Sequence, residues 1–224
     1  MNNLEKNAAA YDKICERWSR IRDKSPINLC VVRFAELLEK NCRVLDVGCG
    51  TGCPIDVFLT EQGFSVVGID ASPKMIEKAR ALGLKNAHFL TADAAQYFSE
   101  EKFGGVVAFD SLWHLPQSRQ EEVYRRIAAM LVCGGYFLFT HGKTAGSAEG
   151  EMFGEKLFYN ALDASFVKEI LEGCGMKILS VTEDYREETT GHRELLVLAR
   201  KISRQASAEK YAKNLMSQPY RSCF

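Results

Sequence analysis

Residues 44–52 read V-L-D-V-G-C-G-T-G, an apolar run that meets an acid and then a glycine-rich turn. The run predicts a β-strand that delivers the carboxylate of Asp46 to the carboxyl edge of a sheet. Gly48, Gly50 and Gly52 let the backbone turn tightly and approach a ligand where a Cβ would collide. Pro54 then stands where a helix should start, a place that tolerates its fixed φ and missing N–H. Strand, glycine turn and helix start are how α/β proteins hold an adenosine-containing cofactor.

Spacing separates the candidate cofactors. A dinucleotide fingerprint, G-x-G-x-x-G, would put its third glycine at position 53, which is Cys53. An acid two residues before the turn would also repel a pyrophosphate. It suits a cofactor with an ammonium group and no phosphate, as S-adenosylmethionine is. Here the chain resembles the class I S-adenosylmethionine-dependent methyltransferases, whose first motif is written almost as Val44–Gly52 stands.

Three more strand ends follow in order. Residues 65–72 (S-V-V-G-I-D-A-S) predict a second strand ending in Asp70, about 20 residues past the turn, where a carboxylate can accept from both ribose hydroxyls. Ser72 and Pro73 then supply an N-cap and a first-turn proline for the next helix. Residues 87–94 predict a third strand ending in Asp93, and residues 105–116 a fourth strand with a loop that begins at Asp110. The resemblance implies that Asp93 caps the adenine amine. It further implies a cofactor held by Tyr11, Asp46, Gly48, Cys49, Gly50, Asp70, Ala71, Met75, Asp93, Ala94 and Asp110.

Composition bounds the rest. The 29 basic and 29 acidic side chains of the 224 residues cancel, which argues against a nucleic-acid enzyme with a basic face. No stretch of 18 apolar residues occurs and the N-terminus lacks a basic-then-apolar signal, so the expectation is a soluble cytoplasmic protein that spans no membrane. The eight cysteines form no C-x-x-C pair and no zinc-knuckle spacing, so we expect apolar packing and no metal.

The expected fold is α/β: a Rossmann-like, doubly wound, seven-stranded sheet, mostly parallel with an antiparallel last strand, and helices on both faces. Residues 1–200 should make one methyltransferase domain, with 1–26 as a helical cover over the cofactor and 201–224 as an extension of open structure. Val31, Phe34, Ala35 and Leu38 mark an amphipathic helix over 27–40. Ser118 and Glu121 read as a capping box before a helix burying Val123, Ile127 and Met130, which Cys133-Gly134-Gly135 should end ahead of a strand over Tyr136–Thr140. A helix over 163–174 should bury Val167, Ile170, Leu171 and Cys174. The strands Lys177–Thr182 and Glu194–Ala199 are separated by too few residues for a parallel crossover and should pair antiparallel.

Methyl transfer from a sulfonium requires donor carbon and acceptor atom about 3 Å apart and in line. A base is needed only for a protonated acceptor. His114 and His141 follow the fourth and fifth strands and are the catalytic candidates, although each could equally bond local backbone. Residues 142–159 read as a long polar connection that either acts as a lid or is an ordinary loop, with Phe153, Phe158 and Tyr159 facing substrate in the first case. Trp18, Trp113 and His192, the last in the loop between the final strands, complete the substrate candidates. The resemblance is to the bacterial small-molecule branch, akin to ubiquinone- and menaquinone-biosynthesis methyltransferases. The partner is then a small-molecule substrate, with no nucleic acid and no membrane, and the protein a monomer or homodimer. A non-catalytic S-adenosylmethionine-binding regulator is the competing expectation.

Overall fold

The computed structural model describes residues 3–187 and 191–202. Helix α1 (Asn3–Arg22) and α2 (Leu29–Leu37) precede β1 (Arg43–Val47), α3 (Ile55–Glu61), β2 (Ser65–Asp70), α4 (Pro73–Ala81), β3 (Ala87–Thr91) and β4 (Phe103–Ala108). A single 3-10 turn (Leu112–His114) leads to α5 (Gln117–Met130), β5 (Leu131–His141), β6 (Gly146–Met152), β7 (Glu155–Ala161), α6 (Ala164–Gly173), β8 (Met176–Glu187) and β9 (Gly191–Lys201).

Seven strands form one sheet in the order β3-β2-β1-β4-β5-β9-β8, while β6 and β7 make a separate two-stranded sheet. The pairs among β1 to β5 are parallel, and β9 runs antiparallel to both β5 and β8. Chain order reverses between β1 and β4, so a crevice opens at their carboxyl ends, the usual ligand site of an open α/β sheet. Both faces of the central strands are covered. Leu45, Val106, Phe137 and Phe139 pack with Tyr124, Ile127 and Leu171 of α5 and α6. Val44, Val66 and Val107 pack with Val31, Phe34 and Leu59 of α2 and α3. Strands buried on two faces need continuous apolar runs, as β1 and β4 have.

Several boundaries differ from expectation for identifiable reasons. Ser118 lies inside the first turn of α5, whose N-cap is Pro116 without a side-chain cap, so the capping box does not form. That helix stops at Met130, and Cys133-Gly134-Gly135 belong to a longer β5, with Gly134 at φ 88° and Gly135 facing the Gly104 carbonyl. Pairing with β4 there outweighs the turn preference of glycine. Pro54 is the N-cap of α3, not its first residue. Residues 142–159 are mostly not loop: β6 and β7 form a hairpin turning at Phe153-Gly154. Cys174 is half-buried, the C-cap of α6. Of the extension over 201–224, residues 203–224 lie outside the described residues. No helix among the described residues is long and apolar enough to cross a membrane.

Candidate functional site

At the crevice the glycine turn is tied to β2. Gly48 and Cys49 donate to the Ile69 carbonyl at 2.8 and 3.0 Å, and Gly50 donates to Asp70 Oδ2 at 3.0 Å. Asp70 Oδ1 accepts from the Ser72 amide at 2.8 Å. Burial pushes the Asp70 carboxyl up to about 6 against the downward pull of these two amides. Gly48 holds φ 81°, and a Cβ there would stand 2.2 Å from Cβ of Ser111, whose hydroxyl donates to the Val47 carbonyl at 2.5 Å. Gly50 holds φ 56°, and its Cβ would stand 3.6 Å from Nε1 of Trp18.

Helix α1 lies across this turn. Asp12 Oδ1 accepts from the Ser72 hydroxyl at 2.6 Å and the Lys74 amide at 3.0 Å, which fastens α1 to the start of α4. On the other side Asn7 grips β7, donating to the Phe158 carbonyl and accepting from its amide, both at 2.8 Å. Between these anchors α1 turns Asn7, Tyr11, Trp18 and Arg22 inward, and a cavity of about 320 Å³ remains beneath. Asp46, Gly48, Cys49, Gly50, Asp70, Ala71, Met75, Ala94, Asp110 and Tyr11, all cofactor candidates from sequence, line it. Asp93 does not. Its Oδ1 accepts from the Ala95 amide at 2.8 Å, and Ala92 and Ala94 line the cavity on either side of it.

His114 is buried at the far end of this cavity. Its Nδ1 is 3.1 Å from the Phe158 carbonyl, an obligate acceptor, and 3.2 Å from Asn7 Nδ2; with the two Asn7 amide protons directed to the Phe158 and His114 carbonyls at 2.8 and 3.3 Å, the ring proton belongs on Nδ1. Nε2 is then an acceptor for the Tyr11 hydroxyl at 2.9 Å. Burial lowers the imidazole to about 4, so it is neutral at pH 7. Burial likewise raises the Tyr11 phenol.

A second cavity, of about 520 Å³, is bounded by Trp113 and Tyr159, the β5–β6 connection, and His192, Arg193 and Glu194 of β9. Arg193 lines both cavities. It is 7% exposed, its Nε is 3.0 Å from each oxygen of Asp110, and its Nη2 also bonds that carboxylate. Asp110, at φ 57°, donates its amide to Thr140 Oγ1 at 2.8 Å.

His141 lines the second cavity and not the first, and both its nitrogens are engaged, by the Tyr124 hydroxyl and the Leu162 carbonyl at 3.0 Å each. It ends β5 and is buried against Tyr124 of α5. Trp18 lies against the glycine turn and lines the first cavity, not the second. The Phe158 ring faces Lys6 Nζ at 5.0 Å and lines neither cavity, because alternation along β7 points Tyr159 inward. Phe153 stacks under Arg17 at the hairpin turn. His192 is on β9, 3.2 Å from Asp184, not in a loop. Asn7, Arg22, Ser111 and Arg193 line the site without having been anticipated; only the four-residue step from Asn7 to Tyr11 carried a signal, a shared helix face. Among the described residues no cluster of three ligating side chains could hold a metal.

Residues 44–135 match the methyltransferase domain family. Glycine N-methyltransferase of Mus musculus is 34% identical over 118 residues, covering 44% of this chain and 40% of the relative. A ubiquinone biosynthesis O-methyltransferase of Rickettsia conorii is 29% identical over 124 residues, covering 54% of this chain and 42% of the relative. The chain thus spans less than half the length of these curated relatives. Among solved structures, magnesium protoporphyrin IX methyltransferase from Synechocystis PCC 6803 with bound SAH superposes with a TM-score of 0.67 at 19% identity, over 89% of this chain and all of that one.

Proposed function

We propose that this chain, which carries a class I S-adenosylmethionine-dependent methyltransferase domain, transfers a methyl group to a small-molecule acceptor. The observation that carries the reading is the cavity under α1, whose lining suits the cofactor part by part. Asp70 keeps lone pairs beyond those used by Gly50 and Ser72, enough for a ribose diol. Asp46 would take the ammonium group and Arg22 the carboxylate of the methionine portion. Ala71, Met75, Ala92 and Ala94 offer an apolar slot for adenine. The bare Gly50 leaves room under the Trp18 indole that a Cβ would fill.

Bound there, the cofactor supplies an electrophilic methyl on a sulfonium. The chain's own residues would keep that end dry and oriented. Trp18, Tyr11 and His114 line this space with aromatic rings that would favour a cation, and α1 would exclude water. The second cavity, with Trp113 and Tyr159, is suited to hold the acceptor, and Arg193 stands between the two spaces.

Calorimetry with S-adenosylmethionine, S-adenosylhomocysteine and NAD tests the first half. Binding of the first two and not of NAD is expected, and the reverse would overturn the reading. A radiolabelled-methyl screen against metabolite fractions tests the second half. Tight cofactor binding with no labelled product in any fraction would favour a non-catalytic sensor instead.

A further inference from the structure

At the cavity wall Asp46 meets a second carboxyl, Asp56, which does not line the cavity and which the glycine motif does not explain. Asp46, at the end of β1, is 2% exposed, and Asp56, in the first turn of α3, is 0% exposed. The two side chains meet. Neither oxygen of Asp56 finds a hydrogen-bond donor among the described residues. Two adjacent ionised carboxylates in such a place would be both desolvated and mutually repelled. One proton between them removes a charge and converts the repulsion into an O–H···O bond.

The surrounding charges pull in both directions: Asp70 of β2 favours the protonated form of Asp46 and Arg22 of α1 the ionised one. Asp70 of β2 faces Asp46, and Cys49 of the turn faces Asp46, Asp56 and Asp70. Cys53 lies near Asp56, and Arg22 of α1 is the cation that acts on Asp46, though Asp110 acts more strongly on Arg22 than Asp46 does. Arg22 also sits over the Trp18 ring at 5.7 Å. Burial raises both carboxyls, and the neighbouring carboxyl raises Asp56 further.

We propose that Asp46 and Asp56 hold one proton between them in the unliganded protein, and that taking up the ammonium group of S-adenosylmethionine at Asp46 expels it. The inference rests on the cofactor reading above. An ammonium that keeps its own three protons brings a positive charge to Asp46, so the ionised pair becomes the favoured form and the shared proton leaves to solvent. The pair changes from one negative charge to two while the ligand adds one positive charge. Asp56 does not touch the cofactor. It is a positioning residue that sets, through Asp46, how binding depends on pH.

Linkage gives the sign. Since the free protein holds more protons than the complex, affinity rises with pH, by up to tenfold per unit where one full proton is released. The test is calorimetry of the full chain with S-adenosylhomocysteine between pH 5 and 9, in buffers of differing ionisation enthalpy. 5′-Methylthioadenosine, which keeps the adenosine and thioether but has no ammonium, is the control. Above pH 7, where Asp70 is already ionised, we expect proton release with the first ligand and none with the second. In Asp56→Asn the amide donates to Asp46 and holds it ionised, so the pH slope should flatten and affinity at pH 6 approach that at pH 8. A residue of merely structural importance would lower affinity at every pH and leave the slope unchanged, and that result would overturn the proposal. Carboxyl carbon NMR of the unliganded wild type needs no variant: one of the two groups should titrate well above the ordinary carboxylate range near 4. Both titrating near 4 would refute the shared proton. Failure of S-adenosylhomocysteine to bind at any pH would remove the cofactor reading and the expulsion step with it, whereas binding without proton release would remove the expulsion step alone.

Discussion

The Tyr11 hydroxyl and Nε2 of His114 lie 2.9 Å apart, joined across 103 residues of sequence. The bond consumes the lone pair that a direct general base would use. With Nδ1 turned to the Phe158 carbonyl, His114 has no nitrogen left to face an acceptor, and burial at about 4 keeps it neutral. The rate should therefore show no histidine titration between pH 5.5 and 8, unlike the rise through pH 6–7 that a free imidazole would give. Nitrogen-15 NMR should find the proton on Nδ1 throughout this range, and a protonated Nε2 at pH 7 would refute the assignment.

The same imidazole makes the fold sensitive to acid. In the unfolded chain His114 takes a proton near 6.5, and in the folded protein it refuses one until about 4. Its contribution is complete above pH 6.5 and is lost as pH falls toward 4. Wild type should lose melting temperature across that interval more steeply than His114→Gln does. Parallel melting curves would show that the ring is not desolvated as described.

Asp70 braces the turn and faces the cavity. Asp70→Ala removes acceptors from Gly50 and Ser72 as well as from a ribose, so cofactor affinity should fall at least tenfold, or about 1.5–3 kcal/mol. Asp70→Asn keeps one acceptor and should lose less. Unchanged affinity in a folded Asp70→Ala protein, measured by calorimetry, would mean that the ribose sits elsewhere.

Gly48 is constrained by its own protein before any ligand arrives. Gly48→Ala forces a side chain into φ 81° and drives its Cβ onto Ser111. A loss of about 1–3 kcal/mol is expected in urea unfolding. Ser111→Gly should relieve the contact and leave the dihedral strain, so the double variant should be more stable than additivity predicts. Strict additivity would locate the cost wholly in the backbone.

How much of this was legible depended on range. The turn at Gly48 and Gly50, and Asp70 beyond it, could be read because strand periodicity and glycine spacing are local signals. The α4 start at Ser72-Pro73 was legible too, since Ser72 accepts from the Met75 amide as an N-cap should. The hairpin of β6 and β7 was not legible, because Gly146–Met152 is polar and largely exposed, and its pairing comes from β7 and from the clamp by Asn7. Nor could sequence show that His141 lies under Tyr124, or that Arg193 reaches Asp110 from 83 residues away. Ser118 failed as a cap because Pro116 had already started the helix.

The ion pair of Arg193 and Asp110 ties the start of β9 to the end of β4 exactly where the two cavities adjoin. Asp110 sits at φ 57°, a conformation that Asp and Asn tolerate better than other residues with side chains. Removing Arg193 strands a half-buried carboxylate with Thr140 as its remaining side-chain partner among the bonds described. Arg193→Met should cost about 3 kcal/mol, the lower end for buried pairs because Asp110 retains 29% side-chain exposure. Adding Asp110→Asn removes the stranded charge while preserving the dihedral, so Arg193→Met with Asp110→Asn should be more stable than Arg193→Met alone. If urea unfolding places the single variant within 0.5 kcal/mol of wild type, the pair is not a structural tie. Its arginine would then be held in place by the Phe109 ring, 5.0 Å beneath it, and the second cavity would keep its boundary without the charge.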